Sequence, residues 1–256
     1  MTDWDAGKYH QLSGPQLAWG RKLADALTPR PGERILDLGC GTGRLTTELA
    51  VRFPDVRFIC ADVSHGMLTE ARRANPGLAC VRADGAALPF AGAFDAVFSA
   101  ATFHWIQNHA ALFRQVHTAL TPGGRLVAQC GGGPNLRRLL DRTHGLMDST
   151  EFRRFFENWR DPWVFASVPE TRAELAAAGF ADIEVSLDPA PTTLRDHAAF
   201  REFISCVCVR YHIDRLPPDE RRRFVSALAD AAAGDDPPFT LDYWRLNMFA
   251  RKRGTR

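Results

Sequence analysis

The sequence lacks the features that would place this chain in a membrane, a secretory route or a nucleic-acid complex. No apolar run approaches the length of a membrane span, and the N-terminus has no basic stretch followed by an apolar one. The formal net charge of +2 is nearly balanced, so no extended basic surface is expected. We therefore expect a cytoplasmic protein without a membrane or nucleic-acid partner.

Paired cysteines and clustered metal ligands are also missing. The six cysteines show no C-x-x-C spacing, and several lie in apolar runs where a free thiol packs as a small hydrophobic group. This usage suits the reducing cytoplasm. The histidines at 104, 109 and 117 are too spread along the sequence for a convincing site, so no bound metal is expected.

What the sequence does contain is a long alternation of strand and helix patterns. At 256 residues it can bury one full core, which predicts a single domain over residues 1–256. The alternation predicts an α/β fold with a doubly wound, mostly parallel, seven-stranded sheet of the Rossmann-like type. A last strand over residues 239–251 is expected to pair antiparallel at the sheet edge.

Helical segments flank and interrupt this predicted sheet. Residues 1–30 form a predicted helical lead, and further helices are predicted over 136–147 and 151–159. An insert at about 190–236 is largely helical in pattern, and we expect it to cover the ligand-binding edge of the sheet as a lid. No internal repeat, low-complexity tract or linker to a second domain interrupts the chain.

The stretch RILDLGCGTGR, residues 34–44, is the most informative part of the chain. An apolar strand pattern over 34–38 is closed by glycines, and a helical pattern follows. Glycine allows positive φ angles and lets a ligand lie directly against the main chain. A strand, a glycine turn and a helix N-terminus together predict a nucleotide-type site at the carboxyl end of a parallel sheet.

The glycine spacing separates this site from the common phosphate-binding motifs. A G-x-G-x-x-G fingerprint would need glycine at 44 or 46, and neither position holds one; the Gly-Lys-Ser/Thr of a P-loop is absent too. The pattern present is Asp37-x-Gly39-x-Gly41-x-Gly43. It resembles motif I of the class I S-adenosylmethionine (SAM) dependent methyltransferases. The resemblance implies that the glycine turn accepts the amino-acid part of SAM.

Two further acids end the next two predicted strands. Asp62 can accept hydrogen bonds from both hydroxyls of a ribose, and Ser64 is the better candidate to cap the following helix. The alternative is that Asp62 is itself a helix cap. In the resembling family an acid at the position of Asp84 faces the adenine amino group, with the amide of Gly85 near the ring; the alternative is a turn aspartate.

The resemblance implies a full set of residues that would contact SAM or its product S-adenosylhomocysteine. The set is Asp37, Gly39, Gly41, Gly43, Asp62, Val63, Met67, Asp84, Gly85, Ala100 and Tyr9. Met67 could pack on the face of the adenine, and it is equally suited to fill the core. Tyr9 belongs to the N-terminal lead, from which it would fold over the cofactor.

The end of the fourth predicted strand argues against methylation of nucleic-acid bases. Enzymes that methylate exocyclic base amines carry Asn/Asp-Pro-Pro-Tyr/Phe there, whereas residues 99–105 read SAATFHW. The Pro-Cys pair associated with cytosine C5 methylation is absent as well. A small-molecule acceptor is therefore favoured.

Segments along the whole chain resemble those of trans-aconitate methyltransferase and its relatives. They include the WDA lead at 4–6, ADVS at 61–64, FHWI at 103–106 and LTPGGRL at 120–126. This resemblance implies a methyl acceptor that is a small organic acid or carrier-bound acid, methylated at a carboxylate oxygen. Methylation of a natural-product hydroxyl, nitrogen or carbon stays open, and so does a SAM-binding protein without methyl transfer. The sequence does not indicate an oligomeric state.

A carboxylate acceptor is already ionised at neutral pH, so its methylation needs no strong base. Catalysis would come from aligning the reactants and excluding water, and donor or cationic side chains would hold the acid. The candidates for acceptor binding are His104, Trp105, Arg210, Tyr211 and His212, with His104 also the candidate catalytic residue. Each is alternatively a structural residue. With a phenol or carbon acid as acceptor, His104 would be a plausible base.

Overall fold

The structure is a computed structural model that describes residues 14–254, and these residues form two compact units. The α/β unit comprises residues 14–133, 163–188 and 245–254, and the helical unit comprises residues 134–162 and 189–244. Tyr9 and the rest of the predicted lead before residue 14 lie outside the described residues. The single domain over 1–256 and the lid role of the insert stay predictions.

The α/β unit alternates strands and helices as the sequence predicts. Its elements are α1 (Gly14–Leu27), β1 (Arg34–Leu38), α2 (Arg44–Arg52), β2 (Arg57–Asp62), α3 (His65–Ala74), β3 (Ala79–Arg82), β4 (Phe94–Ala100), α4 (His109–Ala119), β5 (Leu120–Gly131), α6 (Val168–Ala177), β6 (Phe180–Pro189) and β9 (Trp244–Lys252). A 3-10 turn, Phe103–Trp105, joins β4 to the segment before α4.

The seven strands form one sheet in the order β3-β2-β1-β4-β5-β9-β6. Parallel pairing runs from β3 through β2, β1 and β4 to β5, and β9 pairs antiparallel with β5. The predicted fold class is thereby confirmed. One detail of the prediction is wrong: β9 lies between β5 and β6 rather than at the edge, because β6 occupies the outer position.

Both faces of the sheet are covered, which explains the nearly continuous apolar strands. On β1, Leu36 and Leu38 face a core that includes side chains of α4, whereas Ile35 packs with side chains of α1 and α2 on the opposite face. Asp37 shares the face of Ile35 by strand alternation and is also buried. A carboxylate in the middle of a buried strand needs a functional explanation.

The helical unit holds the remaining elements of the described chain. They are α5 (Arg137–Asp148), β7 (Thr192–Thr193), α7 (His197–Phe203), α8 (Arg210–Ile213), α9 (Pro218–Ala232) and β8 (Thr240–Leu241), with a π-helical stretch at Ile204–Cys208. The helix predicted over 151–159 is wrong, because this segment forms just one 3-10 turn, Arg153–Phe155. Asn158 has a left-handed φ of 58°, a conformation that does not continue a helix.

Within residues 14–254, every helix is too short or too polar to cross a lipid bilayer. The ends of β1 and β4 and the turns that follow them lie at one edge of the sheet, because neighbouring parallel strands end on the same side. This edge carries the glycine stretch and the 3-10 turn.

A buried ion pair fixes α1 and the linker after it to the sheet. The guanidinium of Arg125 on β5 donates to both carboxylate oxygens of Glu33, at 2.7 and 2.8 Å, and to the carbonyl of Leu27. The two side chains are 8% and 13% exposed. Hydrogen bonds from Arg125 hold the pKa of Glu33 below its usual range, against the opposing effect of burial.

We expect Arg125→Met to lower the free energy of unfolding by about 3 kcal/mol, because it leaves the Glu33 carboxylate buried without its cation. Arg21 forms a similar pair with Glu48, but the side chains are 57% and 37% exposed, so Arg21→Met should lower the free energy of unfolding much less than Arg125→Met does. Urea unfolding followed by circular dichroism measures both. Equal losses in the two variants would contradict a stabilising role for the buried pair.

Candidate functional site

The glycine loop, residues 39–43, joins β1 to α2 at the carboxyl edge of the sheet. Gly39 has a φ of +77°, and a Cβ there would lie 2.1 Å from the side chain of Thr102. Gly43 has a φ of +68° at the start of α2. At Gly41 a Cβ would meet one neighbour among residues 14–254, the sulfur of Met67 at 4.0 Å. The loop is therefore packed tightly on the protein side and open at Gly41, as a ligand-binding loop requires.

Asp62 ties the glycine loop to the end of β2. Its Oδ2 accepts from the Gly41 amide at 2.9 Å, and its Oδ1 accepts from the Ser64 amide at 2.9 Å. Ser64 is the N-cap of α3, since its hydroxyl accepts from the Met67 amide at 3.0 Å. A carboxylate oxygen has two lone pairs and can accept more than one hydrogen bond, so these contacts are compatible with the predicted binding of ribose hydroxyls by Asp62.

Asp37 is 2% exposed and lies beneath the same loop. Its Oδ2 accepts from the Thr46 hydroxyl at 2.5 Å. Burial, and to a smaller extent the charge of Asp62, raise the pKa of Asp37 to about 7, although the Thr46 hydrogen bond opposes this shift. The carboxylate is thus poised between its neutral and charged forms near physiological pH, and a bound cation would favour the charged form.

A cavity of about 90 Å³ lies over this loop, with Asp37, Gly39, Gly41 and Ala100 among its lining residues. Helix α1 contributes Gln16 and Leu17, which the sequence analysis did not identify. The Oε1 of Gln16 is buried and has no hydrogen-bond partner among residues 14–254. A buried acceptor beside a carboxylate suits an ammonium group as ligand. No local sequence pattern marks Gln16, because one amide on an amphipathic helix is ordinary.

The residues predicted to contact adenine lie near the ends of β2 and β3. Asp84 is exposed, and its Oδ1 accepts from the Ala86 amide at 2.9 Å, the bond expected of a turn aspartate. Val63 is 63% exposed, whereas Met67 is 4% exposed and part of the core. Gly85 is buried, and a Cβ there would lie 2.7 Å from the side chain of Ile106. Adenine binding by this group stays a prediction.

His104 lies in the 3-10 turn that follows β4. The Gly131 amide donates to its Nδ1 at 3.3 Å, so in the neutral ring the proton lies on Nε2. Burial is the main cause that holds the pKa of His104 well below its usual range, and the neighbouring Arg245 and His109 side chains lower it further. The ring is therefore neutral at physiological pH. Its geometry suits a hydrogen-bond donor rather than a base, because its basic nitrogen already accepts a bond.

Aromatic side chains surround His104. The ring centroids of Trp105 and Phe165 lie 5.0 and 5.7 Å from that of His104, and Trp163 lies 5.8 Å from Trp105. The backbone keeps these segments together, since the Val164 amide donates to the His104 carbonyl at 2.8 Å. The aromatic surface at Trp105, a predicted acceptor-binding residue, therefore continues into the segment before α6, where no site residue was predicted.

Arg245 is a buried cation in this part of the α/β unit. It is 4% exposed, lies opposite Gly131 in the β5–β9 register, and its guanidinium lies over the Trp19 ring at 4.4 Å. Sequence analysis missed it. A signal exists in the alternation of β9, where Leu246 and Met248 face the core and an arginine precedes them on the other face.

Arg210, Tyr211 and His212 belong to the helical unit. The Arg210 guanidinium lies 5.4 Å from the Tyr211 ring and 3.8 Å from the Asp214 carboxylate. His212 is fully buried, and its ring centroid lies 4.5 Å from that of Trp159. Burial lowers the pKa of His212 to about 4, so the ring is neutral. Acceptor binding by these residues stays a prediction.

The sheet order, the glycine loop with its acid at Asp37, and Asp62 at the end of β2 define a class I SAM-dependent methyltransferase. The same fold occurs in Haemonchus contortus phosphoethanolamine N-methyltransferase 2, whose structure contains phosphomonomethylethanolamine and S-adenosylhomocysteine. The TM-score is 0.62 at 20% identity, and the match covers 98% of this chain and 57% of that chain. This likeness shows the fold alone.

Sequence comparisons define the class more narrowly. A family profile described as "Methyltransferase domain" matches residues 35–124. The chain is 31% identical to the trans-aconitate 2-methyltransferase of Methylobacterium nodulans, over 98% of this chain and 99% of the relative. It is 30% identical to that of Methylobacterium radiotolerans, over 98% and 96%. The chain belongs to the trans-aconitate 2-methyltransferase family; it is a SAM-dependent methyltransferase, and SAM is its cofactor.

We expect Gly39→Ala to abolish SAM binding and to destabilise the fold. The new Cβ would lie 2.1 Å from the side chain of Thr102, and alanine would have to adopt the positive φ of this position. Gly32→Ala is the matched control, since Gly32 has a φ of +83° but no atom within 4 Å of its Cβ position. The control should lose about 1–2 kcal/mol of stability and keep SAM affinity. Calorimetric titration and thermal unfolding distinguish the two. A Gly39→Ala variant that binds SAM normally would contradict the tight loop packing.

SAM affinity should rise about tenfold from pH 6 to pH 8, because the ammonium group favours an ionised Asp37 and the pKa of free Asp37 is about 7. Affinity is therefore lost as the pH falls through 7. In Asp37→Asn the affinity should be weaker and the pH dependence flatter, since the side chain no longer titrates. Any protonation of SAM itself affects the natural protein and Asp37→Asn equally, so it does not alter the difference between their pH profiles. Parallel pH profiles would contradict a contribution from Asp37.

Proposed function

We propose that this enzyme transfers the methyl group of SAM to a carboxylate oxygen of a small organic acid. The observation that carries the proposal is the buried cation Arg245 beside the neutral donor His104, in the same α/β unit as the glycine loop. The names of the relatives, trans-aconitate 2-methyltransferases, support the same acceptor class. A carrier-bound acid is the variant of this proposal in which the carboxylate belongs to a larger molecule.

The chain's own residues suit such an acceptor. A carboxylate is ionised at neutral pH and needs no base, so a histidine that donates from Nε2 is sufficient. Arg245 would neutralise part of the acceptor charge, and the rings of Trp105 and Phe165 would exclude water around the reacting atoms. SAM supplies an electrophilic methyl group on a sulfonium, and the protein's contribution is to align an oxygen with it.

The cofactor would be held along the carboxyl edge of the sheet. Asp37 and Gln16 suit its ammonium group, and the open face at Gly41 lets its amino-acid part approach the main chain. Asp62 would accept from the ribose hydroxyls and Asp84 from the adenine amino group. A cytoplasmic location and the absence of a nucleic-acid partner stay predictions.

The first experiment is calorimetric titration with SAM and S-adenosylhomocysteine, followed by transfer from methyl-labelled SAM to a panel of acceptors. The panel pairs trans-aconitate and other small acids with their methyl esters, and adds phenols and amines. Transfer to the acids but not to their fully esterified forms would support the proposal. Transfer confined to phenols or amines would keep the enzyme class and overturn the acceptor. Binding without any transfer would support the alternative of a non-transferring SAM protein.

We expect Arg245→Gln to lower kcat/KM for an acid acceptor by about a hundredfold while leaving SAM affinity within twofold, because a buried charge-assisted bond contributes about 1.5–3 kcal/mol. Arg251→Gln is the control on the same strand, where the guanidinium lies 5.4 Å from the Phe249 ring. The control should leave kcat/KM unchanged. An Arg245→Gln variant that loses SAM affinity and acceptor turnover to the same degree would assign a structural role to Arg245.

A further inference from the structure

Three side chains with metal-binding groups meet inside the helical unit. They are His144 on α5, Asp161 in the segment after the Arg153–Phe155 turn, and His212 on α8, and one ligand atom of each lies within 4.8 Å of the other two. His144 Nε2 lies 3.2 Å from Asp161 Oδ1. Within residues 14–254 this is the one group of its kind. The proposed methyl transfer uses neither His144 nor Asp161.

Trp159 orients two members of the group. Its Nε1 donates to Asp161 Oδ1 at 2.9 Å, and its ring lies against that of His212, with the planes at 32°. A hydrogen bond from an outer residue to a ligating carboxylate is the usual means of fixing a metal ligand. The His212 ring is fully buried and packed against Trp159, so its position is fixed by its surroundings.

We propose that His144, Asp161 and His212 bind a divalent transition-metal ion of the zinc type. Two imidazole nitrogens and a carboxylate oxygen are a common zinc ligand set, which leaves a fourth position for water. From the sequence no bound metal is expected, because the histidines at 104, 109 and 117 are too far apart along the chain. These three ligands come from segments that only the fold brings together.

Small side-chain movements would complete the site. Tetrahedral zinc with bonds of about 2.0–2.1 Å places its ligand atoms about 3.3–3.4 Å apart. The His144–Asp161 separation of 3.2 Å already matches this spacing, and the widest separation in the group is no more than 4.8 Å. The side chain of His144 is 41% exposed, which leaves room for its ring to shift, whereas His212 is buried. The ion would link α5, the segment at Asp161 and α8, which should stabilise the helical unit.

The test is titration of the tag-free, chelator-treated full chain with Co²⁺, followed by displacement with Zn²⁺. The visible absorption of Co²⁺ reports its coordination, so tight binding of one equivalent with a tetrahedral spectrum is expected. His144→Gln and Asp161→Asn should each weaken the affinity for Co²⁺ by at least about tenfold, because the loss of a residue that merely orients a metal ligand already has an effect of that size. Zn²⁺ should raise the Tm of the natural protein and not that of His144→Gln. Both substituted positions are partly exposed, so these variants should fold.

His197→Gln is the matched control. His197 pairs with Asp230 at 2.8 Å in the same unit, and both side chains are exposed. This variant should bind Co²⁺ as the natural protein does. Co²⁺ binding that is equally strong in His144→Gln and Asp161→Asn would overturn the proposal, and so would the absence of a one-to-one complex. SAM titration of His144→Gln separates this proposal from the methyl-transfer proposal, because SAM affinity should be unchanged.

Discussion

The carboxylate of Asp62 accepts hydrogen bonds from two backbone amides, that of Gly41 in the glycine loop and that of Ser64 at the start of α3. A loop with three positive-φ glycines has much conformational freedom in the unfolded chain, so a fixed shape needs an external anchor. Asp62 provides that anchor from the neighbouring strand, and Thr102 fills the other side at Gly39. The cavity of about 90 Å³ over this loop depends on both contacts, since loop residues form part of its lining.

Charge is distributed unevenly over the α/β unit. Asp37 is a buried acid held near its titration point, His104 is a half-buried imidazole held in its neutral form, and Arg245 is a buried guanidinium. Burial is the largest cause of both pKa shifts. A site so arranged favours a cationic ligand beside Asp37 and an anionic one beside Arg245. Those are the charges of an amino-acid ammonium group and of a carboxylate acceptor.

The parts of this site that the sequence predicts are those encoded locally. The glycines of the loop and Asp62 lie at the ends of strands that apolar runs in the sequence indicate. The alternation of strand and helix patterns predicts the sheet itself. Gln16 and Arg245 are distant from the glycine loop along the sequence. Gln16 belongs to α1, a helix of ordinary pattern, and Arg245 belongs to β9. The alternation of β9 shows that Arg245 faces away from the side of Leu246, but it does not show what Arg245 contacts there, and the sequence around Gln16 carries no such signal. The placement of β9 was missed for the same reason, because strand order is a tertiary property.

The interior position of β9 bears on how the protein is made. Strand β6 lies beside β9 in the sheet and β9 lies beside β5, so β6 has no sheet neighbour until the last strand is synthesised. During translation, a ribosome-bound chain would carry an incomplete sheet with the exposed edge of β5. Strand β9 thus closes the sheet, and a chain that stops before β9 would lose the pairing of two strands rather than one.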